Sequence, residues 1–252
     1  MDRKLLKLPF VVERAPDWIC PTCEKGVLRF KTGTFFSEEL AASRDHSHEA
    51  WEPDWIRYVY SGLLVCTNDQ CKEVVATGGK GSVDGVQIYD GNGAPDLDWL
   101  DHFRPTYFLP HLKLFPVPKQ CPEEVASHVA RSFGIFFAEP QGAANCVRMA
   151  VEALLTELKV PRFAKVAGKQ KLISLHQRIG LLPPKYASLK DMIYAIKWLG
   201  NAGSHDGDAV SMDDVMDSYE LLEHILEEVY APKTEKLKKL AKKVNKKKGP
   251  IS

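Results

Sequence analysis

Cys20-Pro-Thr-Cys23 and Cys66-Thr-Asn-Asp-Gln-Cys71 are two close thiol pairs, each set among turn residues. A tight turn can aim two thiolates at one point. Four sulfurs at about 2.3 Å from a common centre form the closed tetrahedral shell that zinc prefers in structural sites. Cys20, Cys23, Cys66 and Cys71 are therefore expected to hold one structural Zn2+. With every coordination position filled by sulfur, such an ion holds the fold and leaves no place for a reacting water. Binding worth about 10 to 16 kcal/mol would supply much of a small domain's stability. The second pair has four intervening residues where two are more usual, and the 42 residues between the pairs include His46 and His48. A substituted ligand or two pairs of free thiols are the alternatives. Cys121 and Cys146 have no neighbours that mark an activated nucleophile.

A second set of chemically capable residues lies in the other half of the chain. Ala144, Val147, Val151, Leu154, Leu155 and Leu158 recur at helical spacing, which predicts a helix over 143–158 with one buried face. Asn145, Arg148 and Glu152 fall on its polar flank, and Arg148 and Glu152 are one turn apart and able to pair. Lys197, Asn201 and His205 follow at four-residue steps, one polar stripe if a helix continues through Gly200 and Gly203. Those glycines would let another backbone approach closely. The bland alternative makes Arg148, Glu152, Asn201 and His205 a hydrogen-bonded network that ties two helices in register.

The elements that must position these groups are of two kinds. Up to about residue 102 the chain shows short β-type runs (WIRYVYSGLLVC, KEVVATG, GVQIY) between turn residues, the pattern of a small β domain. Residues 103–122 carry five prolines and read as an extended linker packed by its aromatics. Residues 123–232 read as helical. Besides 143–158, a helix is predicted from Lys171 to Ile179, another from Ser188 with Asp191 as capping partner, and a last one from about Ser211 through Val229. Residues 233–252 read as a lysine-rich flexible tail. GGKGS at 78–82 lacks the Walker spacing and reads as a hairpin turn, and no GxSxG occurs, which disfavours a nucleotide triphosphatase and a serine hydrolase.

The net charge of +1 over 252 residues conceals an uneven distribution. Lys233 to Lys248 holds nine lysines against Glu235, a net +8 that leaves residues 1–232 at −7. The body is not itself a strong phosphate binder. The tail could attract RNA or another nucleic acid, or an acidic protein partner, without reading sequence. No apolar run reaches the ~18 to 20 residues of a bilayer span, and MDRKLLKLPF lacks the apolar stretch of a signal peptide, so a soluble, cytoplasmic chain with no membrane partner is expected.

The stretches AANCVRMAVEALL, LHQRIG and AIKWLGNAGSH, followed by DDVMDSYELLEHILEEVY, resemble the domain of unknown function family 4145 over roughly residues 110–230. The CPTC and CTNDQC pairs resemble the ribbon that often precedes it. The resemblance implies an α+β chain: a small N-terminal β-rich zinc ribbon followed by an all-α HEPN-like helical bundle, commonly a homodimer. HEPN-like bundles include RNA-cleaving toxins and antiviral nucleases, and family 4145 also occurs attached to phage-defence proteins. On this resemblance Arg148 and Glu152 match the Arg and Glu of the first helix, and Asn201 and His205 match the Asn and His of the GNxxxH element. Lys197 stands where many relatives carry Arg. Catalytic HEPN nucleases place an Arg four to six residues before the His, whereas here Lys197 is eight residues from His205. The candidate catalytic set is therefore His205, Arg148, Glu152, Asn201 and Lys197, with His205 as base or acid and Arg148 and Lys197 steadying phosphorane charge. Two functions follow as expectations: a HEPN-like RNA-binding or RNA-cleaving effector in prokaryotic phage defence, or a non-catalytic ribbon-and-bundle module that dimerises or binds a protein partner.

Overall fold

A computed structural model describes residues 2–89, 94–166, 168–202, 210–231 and 233–249. The chain divides into two units, residues 1–113 with 133–138, and residues 114–132 with 139–252.

The first unit opens with a short helix, α1 (Arg3–Lys7), whose N-terminus is capped by the Asp2 side chain. Five strands follow: β1 (Leu28–Phe30), β2 (Phe36–Glu39), β3 (Arg57–Cys66), β4 (Val74–Tyr89) and β5 (Pro95–Leu109). They form one antiparallel sheet in the order β1-β3-β4-β5, with β2 pairing on β3 beside β1. In β3, Tyr60, Gly62, Leu64 and Cys66 point inward while Val59, Ser61 and Leu63 face out, the period of two that a half-buried strand demands. The sheet curls into a half-barrel. Its core is aromatic: Phe10, Trp18, Tyr60, Phe103 and Phe108 are all buried, and Phe10 and Phe103 exchange backbone hydrogen bonds of 2.9 and 2.8 Å.

Two expectations give way here for a shared physical reason. GGKGS is not a turn but lies inside β4, paired on both sides. Glycine is required because β5 crowds it: a Cβ on Gly79 would stand 2.1 Å from the Arg104 carbonyl oxygen. The ladder shifts register between Gly78 and Gly79, and Pro105 sits opposite Gly79 at that irregularity, where a residue without an N–H is tolerated in a strand. Residues 103–109 of the expected linker consequently complete β5.

The second unit holds α2 (Glu123–Ile135, whose last residues group with the first unit), α3 (Pro140–Glu157), α4 (Leu175–Gly180), α5 (Lys190–Ala202), α6 (Met212–Tyr230) and α7 (Lys233–Lys247). α3 packs against α5 and α6 through Val147, Val151, Leu154, Ile193, Ile196, Met216 and Leu222, all buried. The buried Tyr219 hydroxyl donates to Ser132 Oγ at 2.8 Å, and Ser132 in turn donates to the Ala143 carbonyl, so both hydroxyls are paired in this core.

The expected fold class needs correction at both ends. The N-terminal part is a five-stranded sheet with strands up to 16 residues long, not a small ribbon. The C-terminal part is not all-α, because β6 (Phe163–Val166) and β7 (Lys169–Leu172) form an antiparallel hairpin, with Gly168 in the left-handed region at φ 78°. Lys171 and Leu172, read as the start of a helix, thus belong to a strand, and α4 begins only after Ser174, which closes a capping box with Gln177. α5 likewise starts at Lys190, after a 3-10 turn led by Pro184, and not at a Ser188 cap. Residues 233–247, read as a tail, form α7. Among the described residues no helix is long and apolar enough to cross a membrane.

Candidate functional site

The sheet unit brings the four cysteines together. The loop before β1 is clamped by the Cys20 N–H on the Gly26 carbonyl (2.8 Å) and by the Ile19–Val27 bridge, and the β3–β4 connection is clamped by the Cys66 N–H on the Glu73 carbonyl (2.9 Å). Leu28 pairs with Cys66 across β1 and β3, which sets one thiol loop beside the other. Thr22 Oγ1 donates to Glu73 Oε2 at 2.6 Å and ties the two loops directly.

All four sulfurs lie within 4.8 Å of one another, with Cys23–Cys66 at 3.6 Å and Cys20–Cys71 at 3.9 Å. A tetrahedron with metal–sulfur bonds of about 2.3 Å has edges of about 3.8 Å, so the donor set fits a four-thiolate ion. The surroundings are shaped for sulfur anions. Gly26 N–H donates to Cys23 Sγ and Asn68 N–H to Cys66 Sγ, each at 3.4 Å. The first of these, with a further backbone donor at Lys25, draws the Cys23 thiol down to about 6. Burial pushes Cys66 the other way, and the neighbouring sulfurs add to it, which is what crowded thiols do until a cation joins them.

The unusual spacing of the second pair has a local explanation. In the first loop the Glu24 N–H returns to the Cys20 carbonyl and Glu24 turns left-handed at φ 54°. In the second loop the Lys72 N–H returns to the Asn68 carbonyl and Lys72 turns left-handed at φ 52°. Asn68 thus holds the turn position that Cys20 holds in the first loop, and Cys66 reaches the cluster from the end of β3. His46 and His48 are not part of it: His46 Nε2 sits 3.0 Å from Glu39, and His48 Nδ1 accepts from the Ala50 N–H.

In the helical unit, Arg148 and Glu152 form the expected pair, with a guanidinium nitrogen 3.0 Å from the carboxylate. The close approach expected of Gly200 is present, since a Cβ there would meet Arg148 Cβ at 2.9 Å and the Ala144 carbonyl at 3.3 Å. α3 and α5 therefore touch through Gly200, next to Asn201. Lys197 does not face an open cleft. It is buried, its ammonium 3.2 Å from the centre of the Trp198 ring. His205 lies outside the described residues.

Sequence reasoning passed over Arg178. This residue is 4 % exposed, and its guanidinium donates to the Glu152 carbonyl (3.2 Å), Thr156 Oγ1 (2.9 Å) and the Val160 carbonyl (3.3 Å). A cation set on carbonyls of the last turns of α3 and just beyond it complements the helix dipole and stitches α4 to α3. Burial, followed by the nearby Arg162, lowers its pKa. Beside it lies a cavity of about 230 Å³ that Glu124, His128, Glu152, Glu157 and Arg162 also line. Burial raises the thiols of both Cys121 and Cys146, Cys121 to about 11.

Two protein families match the chain. Residues 130–247, from the end of α2 through α7, match the family described as domain of unknown function DUF4145. Residues 8–108, which hold all four cysteines and nearly the whole sheet, match another, domain of unknown function DUF8608. No curated protein and no solved structure matches the chain. The DUF4145 segment contains Arg148, Glu152, Arg178, Lys197 and Asn201, so the resemblance read in AANCVRMAVEALL and AIKWLGNAGSH has its counterpart in a family match.

Proposed function

We propose that the chain is a zinc-stabilised interaction protein whose helical unit offers a binding surface and not a catalytic cleft. What carries this reading is the employment of its cations: Arg148 is held by Glu152 at 3.0 Å, Lys197 is buried against Trp198, and Arg178 is spent on the carbonyls of α3. Positive groups committed to internal contacts are poorly placed to meet charge that develops on a phosphate. Four converging thiolates favour zinc, which when bound would clamp the two loops as a purely structural ion. The protein as purified is expected to contain one zinc per chain by elemental analysis. It is expected to leave total RNA and tRNA intact in buffer free of added metal, and His205→Ala and Arg148→Ala should behave as the parent. Cleavage by the parent that both substitutions abolish would overturn the reading.

A second reading, the HEPN-like RNA-binding or RNA-cleaving effector of phage defence, draws on the family resemblance and on the nine lysines of residues 233–248. It requires RNA affinity that falls steeply with salt and that survives, in part, removal of residues 233–252, since affinity lost wholly with that segment would reflect helix charge alone.

A further inference from the structure

The cavity of about 230 Å³ beside Arg178 belongs wholly to the second unit. Glu124 reaches it from α2, Met149, Glu152 and Glu157 from α3, Arg162 from the connection after α3, and Arg178 from α4. Two of these charges already have partners: Glu152 is held by Arg148, and Arg178 donates to carbonyls of α3 and just beyond it. Glu124, Glu157 and Arg162 differ. Among the described residues, none of these three side chains makes a hydrogen bond or an ion pair, so the two carboxylates do not neutralise the guanidinium across the cavity. Arg162 faces a like charge instead, since after burial it is the next influence lowering the Arg178 pKa. Opposite charges left unpaired around one recess suit a ligand that carries both signs.

We infer that this cavity binds a free basic amino acid of about the size of lysine, with its carboxylate on the Arg162 guanidinium, one ammonium against each of Glu124 and Glu157, and its methylenes along Met149. The charge balance selects this class. Two carboxylates against one guanidinium leave 1 − 2 = −1, which a ligand with two cationic groups and one carboxylate cancels. Size agrees: at the ~30 Å³ that a water takes in the liquid, the space holds roughly eight waters, or about ten non-hydrogen atoms at the closer packing of a protein interior. A guanidinium fork is matched to a carboxylate, and that pairing supplies direction as well as attraction. Simpler ligands are disfavoured by the same residues. A plain anion meets Glu124 and Glu157, a plain diamine meets Arg162 with Arg178 behind it, and an uncharged molecule leaves all three charges without partners. A bare divalent ion is disfavoured too, because among the described residues the four cysteines alone gather closely enough to hold one.

The site goes beyond the interaction reading and does not depend on it: zinc content and intact RNA report on that reading, amino-acid binding on this one. The test is calorimetric titration of the full, metal-loaded protein with L-lysine and L-arginine, beside three probes that each lack one group of lysine. Norleucine lacks the side-chain ammonium, cadaverine the carboxylate, and 6-aminohexanoate the α-ammonium. A basic amino acid is expected to bind and to raise the melting temperature, and each probe to bind at least about tenfold more weakly. Arg162→Gln and Glu157→Gln should each weaken binding by a similar factor. Neither removes a hydrogen bond or ion pair within the described residues, and circular dichroism checks the fold. Lys165→Gln, an exposed cation close in sequence that does not line the cavity, should bind as the parent does. Absence of heat and of stabilisation with either amino acid at about 10 mM would overturn the assignment. So would a probe that binds as tightly as lysine, or binding that survives both Arg162→Gln and Glu157→Gln.

Discussion

Cys66 Sγ occupies the space that any side chain at Gly26 would need: a Cβ there would stand 2.5 Å from the sulfur. Gly26→Ala must push a thiolate off its place, and loss of such support typically weakens metal sites 10- to 100-fold, about what a chelator competition should measure. Unchanged retention would show that the loop can yield without disturbing the cluster. Arg178 makes the opposite kind of claim. Replacing it with Met removes the Arg178 donors to the Val160 carbonyl and the Thr156 hydroxyl and one of the donors to the Glu152 carbonyl, which costs roughly 2 to 4 kcal/mol and should appear as a lower urea midpoint. These two residues differ in how they could be found. Cysteine has few reasons to recur in close pairs, so Cys20, Cys23, Cys66 and Cys71 announce a cluster from spacing alone. An arginine in a helix is ordinary until its burial is known, and nothing in LHQRIG separates Arg178 from a solvated charge.

At the scale of elements, α6 shows how a local rule can suffice. Ser211, where the sequence places the start of the helix, accepts from the Asp214 N–H, and Asp214 accepts in return from the Ser211 N–H at 2.8 Å, which closes a capping box. Ser211→Ala should lower stability by about 1 kcal/mol at neutral pH. Bonding to Ser211 holds the Asp214 carboxyl below its ordinary value of 3.8. A depressed carboxyl contributes stability that is complete above its unfolded value and is lost as pH falls through the folded one, so the gap between parent and variant should narrow in acid. A melting-temperature difference that stays constant from pH 6 to pH 3 would contradict that assignment. Gly200→Ala forces a methyl to within 2.9 Å of Arg148 Cβ and should destabilise by about 1 to 3 kcal/mol, with α5 moving off α3. The β6–β7 hairpin was the least legible element, because a short mixed run such as KQKLIS suits either periodicity until a partner strand is known. β5 was obscured by its proline, whose missing N–H matters only if the ladder is regular at that point.

For the whole molecule, the placement of all four thiols in the sheet unit predicts that the two units respond differently to metal removal. A chelator strong enough to strip the centre should abolish the near-ultraviolet signal of the aromatic core around Trp18 and Tyr60 while leaving helical ellipticity from α3, α5 and α6 in place. Simultaneous loss of both signals would mean that the units fold as one. The division into a β-rich and a helical half, with the paired cysteines in the first, was legible from the sequence pattern. The extent of the sheet was not, since glycines that crowd against β5 look like turn glycines when only their neighbours in sequence are visible. The order of these parts along the chain sets a timetable for synthesis. The last thiolate of the cluster is Cys71, so all four of its sulfurs emerge from the ribosome ahead of β4 and β5. Chains grow from the N-terminus at about 5 to 20 residues per second, which gives the nascent loops seconds in which to capture an ion. The long strands then arrive at an edge of β3 whose end is already fastened, and the metal acts as the first fixed point of the sheet and not its last.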